Sequence, residues 1–159
     1  QCILLLNMDT LMLSSGTQKS LKIRTLDRLG MMSLMVHLAA SNGHLDIVKF
    51  LAKILPDKNP SDDNGATPLH WAAISGHLDI VKYLTSILED KNPKSGLYWD
   101  EDTPLHAAAD DGQLKVVKYL VQILPDKNPE NAKGKTPLDM AKAKGHQEIV
   151  NFLETLIDS

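Results

Sequence analysis

The sequence predicts an all-α solenoid of stacked helix–turn–helix units. Three observations carry that expectation. One short block recurs four times, a second block follows every copy at a fixed distance, and a third block closes three of the units. Blocks in constant order at a near-constant period mark repeat architectures, where each unit has an apolar face that only a neighbour can cover.

The first block is Thr67-Pro68-Leu69-His70-Trp71-Ala72-Ala73. It returns as Thr103-Pro104-Leu105-His106-Ala107-Ala108-Ala109 and, altered, as Thr136-Pro137-Leu138-Asp139-Met140-Ala141-Lys142. A copy with an eroded start reads Leu34-Met35-Val36-His37-Leu38-Ala39-Ala40. The copies begin at 34, 67, 103 and 136, spacings of 33, 36 and 33 residues. Six residues after His37, His70, His106 and Asp139 come Gly43, Gly76, Gly112 and Gly145, each opening a block such as Gly76-His77-Leu78-Asp79-Ile80-Val81-Lys82-Tyr83-Leu84. The third block, Leu55-Pro56-Asp57-Lys58-Asn59-Pro60, returns with one change at Leu88-Glu89-Asp90-Lys91-Asn92-Pro93 and unchanged at Leu124-Pro125-Asp126-Lys127-Asn128-Pro129.

Each block has a physical reading. Thr67 can cap a helix that tolerates Pro68 in its first turn, because a proline lacks an N–H that would be unpaired there. Such a cap is worth about 1 kcal/mol. Ala72 and Ala73 let neighbouring helices approach closely, and Gly76 ends this short helix in the left-handed conformation. Leu78, Val81, Leu84 and Leu88 then recur at three- and four-residue steps, with Ile80 and Ile87 widening the stripe, as the apolar face of a longer second helix. Pro93 and the polar stretch beyond it stop that helix. In the last unit Asp139, Lys142, Lys144, Asn151 and Glu154 replace residues that are apolar or uncharged in one or more inner copies, which suits a capping unit facing water.

These residues resemble the ankyrin repeat, whose signature is the T-P-L-H-x-A-A and G-H-L-x-I-V-K-x-L blocks at this period. The resemblance covers residues 34–159, as repeats at about 34–61, 62–97, 98–130 and 131–159, joined by hairpin-like turns. Residues 1–33 are expected to form an irregular N-terminal segment; one reading makes it a degenerate helical capping repeat, since residues 9–15 faintly echo a repeat start. The resemblance implies a non-enzymatic protein-interaction scaffold that binds its partner on the concave face of turns and first helices. Carried over, those positions are Asp63, Asn64, Ala66, Ile74 and Ser75 in the second repeat, Trp99, Asp100, Asp102, Asp110 and Asp111 in the third, and Lys133, Lys135 and Lys144 in the fourth. A structural spacer or autoregulatory segment of a larger protein is the competing expectation.

Three departures from the family pattern predict local differences. Leu55, Leu88 and Leu124 stand where glycine is usual, so the end of the second helix should be reshaped, with the leucines packed between repeats. The turn before the third repeat carries three extra residues, and Glu101 occupies the place of Gly65 and Gly134, so that turn should have another shape. The first repeat has Leu34-Met35 in place of Thr-Pro, so its first helix should start less sharply.

The insertion around Lys94-Ser95-Gly96-Leu97-Tyr98-Trp99-Asp100 is the strongest functional lead. Seven residues of the chain are aromatic, and Tyr98 and Trp99 are adjacent here. Tyrosine and tryptophan are enriched at binding hot spots. The pair could equally fold back onto its own or the next repeat. Asp62, Asp63, Asp100, Glu101, Asp102, Asp110 and Asp111 crowd the middle repeats, while Lys133, Lys135, Lys142 and Lys144 mark the last. The expected partner is therefore a protein offering a basic segment around an apolar anchor near Trp99, with charge steering the encounter.

The repeating His37, His70 and His106 could suggest a metal, but no close ligand pair or nearby cysteine supports it, and hydrogen bonding to neighbouring backbone explains them. No phosphate loop, nucleophile elbow or H-E-x-x-H motif is present, so neither enzyme chemistry nor a cofactor is expected. Asn59, Asn92 and Asn128 match a position hydroxylated in some proteins of this family, but with Lys and Pro beside them.

Composition bounds the rest. The chain has 159 residues, 43% apolar and 23% charged, with a net charge of −3, values of a globular protein with no electrostatic pull toward nucleic acid or anionic membrane. The lone cysteine, Cys2, excludes an internal disulfide framework, and a reducing, cytoplasmic setting is expected. The apolar run at residues 2–6 is too short to cross a bilayer. A monomer is expected.

Overall fold

A computed structural model describes residues 30–157. Its elements are α1 (Met31–Ser41), α2 (Leu45–Ile54), α3 (Pro68–Ile74), α4 (Leu78–Ile87), a 3-10 turn (Leu97–Trp99), α5 (Pro104–Asp110), α6 (Leu114–Ile123), α7 (Pro137–Lys144) and α8 (Gln147–Ile157). Among the described residues there is no strand. The expected capping repeat falls mostly on residues 1–29, outside the described range.

Each short helix starts where its sequence allows. Thr67, Thr103 and Thr136 are extended N-caps followed by proline, each closing a capping box with the residue three positions on. Without the Thr-Pro start, α1 runs back to Met31, across the 33/34 boundary drawn from the motif, and has no side-chain cap. The longer helices end at Leu55, Leu88 and Leu124, which leave the helix in extended rather than left-handed backbone. Each leucine still donates its N–H to the carbonyl four residues back. Leu55 and Leu124 are buried, so the departure from glycine converts a turn into an apolar contact.

The units stack as two layers. First helices pack side by side, α1 on α3, α3 on α5 and α5 on α7, with α2, α4, α6 and α8 behind them. Between the layers lie Leu51, Leu69, Ile80, Leu84, Leu105, Leu120, Ile149 and Leu153, all essentially inaccessible to water. Burying one such side chain contributes about 1.5–3 kcal/mol, so the stack is held mainly by these contacts.

Two polar ladders fix the register, and they run in opposite directions. Forward, Nε2 of His37, His70 and His106 meets the carbonyls of Ala66, Asp102 and Lys135 in the following turn, at 3.1, 3.0 and 3.0 Å. Backward, His77, Gln113 and His146 reach the last carbonyls of the preceding first helices, at Ser41, Ile74 and Asp110, over 3.1, 2.9 and 2.8 Å. The second ladder satisfies helix C-terminal carbonyls that would otherwise lack partners.

The protonation of the forward ladder follows from its geometry. Nδ1 of His70 accepts the Thr67 N–H at 3.1 Å, and Nδ1 of His106 accepts that of Thr103 at 3.2 Å. Each ring is therefore neutral, with its proton on Nε2 facing the next repeat's carbonyl. Burial enforces the same state: it pushes His70 down to about 4, against the pull of the Asp102 carbonyl, and lowers His106 as well.

The last repeat has no following turn in the described chain, and its chemistry changes accordingly. Asp139 replaces the histidine and accepts the Thr136 N–H and hydroxyl at 3.0 and 2.8 Å. These bonds lower its carboxyl below the usual range. Asp139, Lys142, Lys144 and Asn151 are exposed, and Lys142 pairs with Glu154 at 2.9 Å.

Candidate partner-binding face

The turns and the first helices share one side of the stack, and the sequence-expected residues fall along it with unequal access. In the second repeat Asp63 and Asn64 are exposed at the turn tip. Asp62 shapes this tip by accepting the Asn64 and Ala66 N–H groups, both at 2.9 Å. Ala66 is completely buried, because its carbonyl and N–H are drawn into the turn and the forward ladder. Its methyl offers a partner no surface, a correction to the expectation for that position. Ile74 and Ser75, at the end of α3, are half-buried.

The insertion divides its side chains. Leu97 and Tyr98 are 78% and 80% exposed, whereas Trp99 is half-buried. The Trp99 ring sits edge-to-face on Trp71, centroids 5.3 Å apart and planes at 66°. Trp71 is fixed in turn by its indole N–H, which donates to Asp62 at 3.1 Å. Asp100 and Glu101 both adopt left-handed backbone, with φ of 55° and 56°. Glu101 thus keeps the left-handed conformation that Gly65 and Gly134 hold elsewhere, and the different shape expected of this turn comes from the added 3-10 turn and a second left-handed residue, Asp100.

Neighbouring turns are joined backbone to backbone. Gly96 N–H donates to the Asn64 carbonyl at 3.1 Å, and Ala132 N–H to the Asp100 carbonyl at 2.7 Å. At the first junction the approach is so close that a Cβ on Gly65 would lie 2.2 Å from the Gly96 nitrogen. Only glycine fits there.

The charges do not stand apart as the sequence suggests. Lys133 pairs with Asp100 at 2.7 Å and Lys144 with Asp110 at 3.2 Å, each across the junction between the third and fourth repeats. Lys94 pairs with Glu101 at 3.0 Å within the insertion. Asp102 accepts the Asn131 amide at 2.7 Å. Asp63, Asp111 and Lys135 form no ion pair among the described residues. Desolvation, then the neighbouring Asp110 charge, raises the Asp111 carboxyl.

Linear reading missed two features here. Leu97 was not singled out for binding, although an apolar residue beside Tyr98 in an inserted turn was a usable signal. The contact of Trp99 with Trp71 had only a faint one, the bulk of Trp71 where other repeats carry Leu38, Ala107 or Met140. Asn59, by contrast, is committed to structure, since its amide donates to Thr67 at 2.9 Å and its carbonyl accepts the Leu69 N–H at 3.1 Å.

The repeating histidines spend their ring nitrogens on backbone groups and threonine hydroxyls. Among the described residues no three His, Cys, Asp or Glu side chains gather as a metal site would need, and no helix is long and apolar enough to cross a membrane. A family model described as ankyrin repeats (3 copies) matches residues 10–95 and 86–156. No curated protein matches the chain.

Proposed function

We propose, from the premise that the chain belongs to the ankyrin-repeat family, that it binds a partner protein through the face of turn tips and first helices. Ankyrin repeats are generally protein–protein interaction modules and are typically non-enzymatic. One observation carries the reading on this chain: Leu97 and Tyr98 stand 78% and 80% exposed on that face. Large apolar groups held in water have a use when a partner covers them. Asp63, Asp111 and the ion-paired acids around them favour a partner with basic residues, recognised by a monomer in a reducing, cytoplasmic setting. The match from residue 10 supports a degenerate capping repeat ahead of α1.

Hydrogen exchange on the chain, alone and saturated with a partner isolated from cell extract, tests the face. Slowed exchange is expected at residues 62–75, 97–111 and 132–144. Slowing confined to α2, α4 and α6, or no slowing, contradicts the reading and favours a spacer or autoregulatory segment.

A further inference from the structure

The inserted turn displays Leu97 and Tyr98, 78% and 80% exposed, while Trp99 turns back onto Trp71. A partner's apolar anchor near Trp99 would need the space beside Trp71, and the Trp99 ring already fills it. What remains for a partner is the protruding pair, Leu97 and Tyr98.

The pair is also stiffly mounted. Trp99 N–H and Glu101 N–H both donate to the Gly96 carbonyl, at 3.0 and 3.3 Å. Asp100 N–H donates to Leu97 and Asp102 N–H to Trp99, at 3.2 and 2.9 Å. Gly96 is bonded to the turn before and Asp100 to the turn after. A tip closed internally and tied on both sides loses little freedom when it docks, and a tyrosine adds only two rotatable side-chain bonds.

We infer that the Leu97–Tyr98 tip is itself the anchor, inserted into an apolar cleft on a folded partner whose rim carries lysine or arginine. This rests on the partner-binding reading above and adds the direction of insertion. The rim chemistry follows from charge. Asp62, Asp63, Asp100, Glu101 and Asp102 lie on the two turns around the tip, against Lys94 and Lys133, which are paired to Glu101 and Asp100, and Lys135, which has no ion pair among the described residues. Asp63 is exposed and has no ion pair among the described residues. A basic rim would gain from this excess; an acidic rim would be repelled.

The test places a photo-crosslinking benzoylphenylalanine at position 98 or at position 75 of the full chain. Adducts formed in cell extract are then mapped on the partner by mass spectrometry. Both positions should label one protein, with the position-98 adduct on apolar residues inside a cleft bordered by Lys or Arg. With that protein purified, Leu97→Ser/Tyr98→Ser should weaken binding about 30-fold while leaving the melting temperature unchanged. Asp63→Asn should slow association at low salt. Labelling from position 75 alone overturns the inserted tip and leaves the binding face standing. Labelling from neither overturns both. A position-98 adduct on a disordered peptide, or on a second copy of this chain, overturns the cleft, as does full affinity in the double variant.

Discussion

The turn at residues 62–65 and the turn at residues 95–102 receive the same histidine bond and build the junction differently. The first is minimal: Asp62 gathers two backbone N–H groups, Gly65 takes the left-handed position, and the tip exposes polar Asp63 and Asn64. The second is longer, uses Asp100 and Glu101 in left-handed backbone, and exposes Leu97 and Tyr98. Yet Ala66 O and Asp102 O meet the ladder histidines at nearly the same distance, 3.1 and 3.0 Å. The insertion is therefore absorbed outward, where it leaves the stack unchanged and adds a displayed surface.

The largest expected effect breaks the junction between these turns. Gly65→Ala sets a Cβ against the Gly96 backbone at 2.2 Å. It also forces a side chain into φ +79°. Together these should cost about 3 kcal/mol. Gly134→Ala, with nothing within 4 Å of its added Cβ, should carry only the conformational part, about 1 kcal/mol. Urea denaturation of the two variants measures the difference. Equal losses would mean that the close approach of the turns does not hold in solution.

Acid should destabilise the fold through the buried histidine that serves the longer turn: protonating Nδ1 of His70 breaks the bond it accepts from the Thr67 N–H and charges a buried ring. His70 titrates at about 4 when folded, against 6.5 for the free side chain. Between those values the unfolded chain binds the proton and the folded one resists it. Stability is therefore full above about pH 6.5, declines as pH falls toward 4, and gains no further loss from this group below that. The decline amounts to at most about 3 kcal/mol. His106, lowered for the same reason, acts in the same direction. Denaturation midpoints from pH 7.5 to 4 should fall, and His70→Leu should flatten the slope.

The smallest effect concerns strain in the longer turn. Glu101→Gly relieves a left-handed side chain but frees the unfolded backbone and removes the exposed pair with Lys94, worth little in water. A net gain of about 0.5 kcal/mol is expected by thermal melting.

Much of this was legible in the sequence because the repeat states each interaction several times. The Thr-Pro caps, the forward histidine ladder and the reshaped helix ends at Leu55 and Leu124 follow from residue type at a fixed position. The first repeat's start and the altered turn at Glu101 were legible as departures from that pattern. What was hidden depends on where a side chain turns after the backbone is set. The acids and lysines read as separate patches, but the stacking brings Lys133 to Asp100 and Lys144 to Asp110, 33 and 34 positions apart. Tyr98 and Trp99 are neighbours in sequence, and a 3-10 turn sends one outward and the other onto Trp71. Ala66 is adjacent to an exposed tip and is buried by the hydrogen bonds that form it.

That split within the insertion is the point on which the functional account turns, and side-by-side urea denaturation of two variants tests it directly. Trp99→Ala removes the half-buried ring and its edge-to-face contact, so it should cost about 2 kcal/mol. Leu97→Ser/Tyr98→Ser removes two displayed side chains and should change stability by less than about 0.5 kcal/mol. If the double variant loses as much as Trp99→Ala, the tip is packed against the repeats rather than offered to a partner, and the account fails.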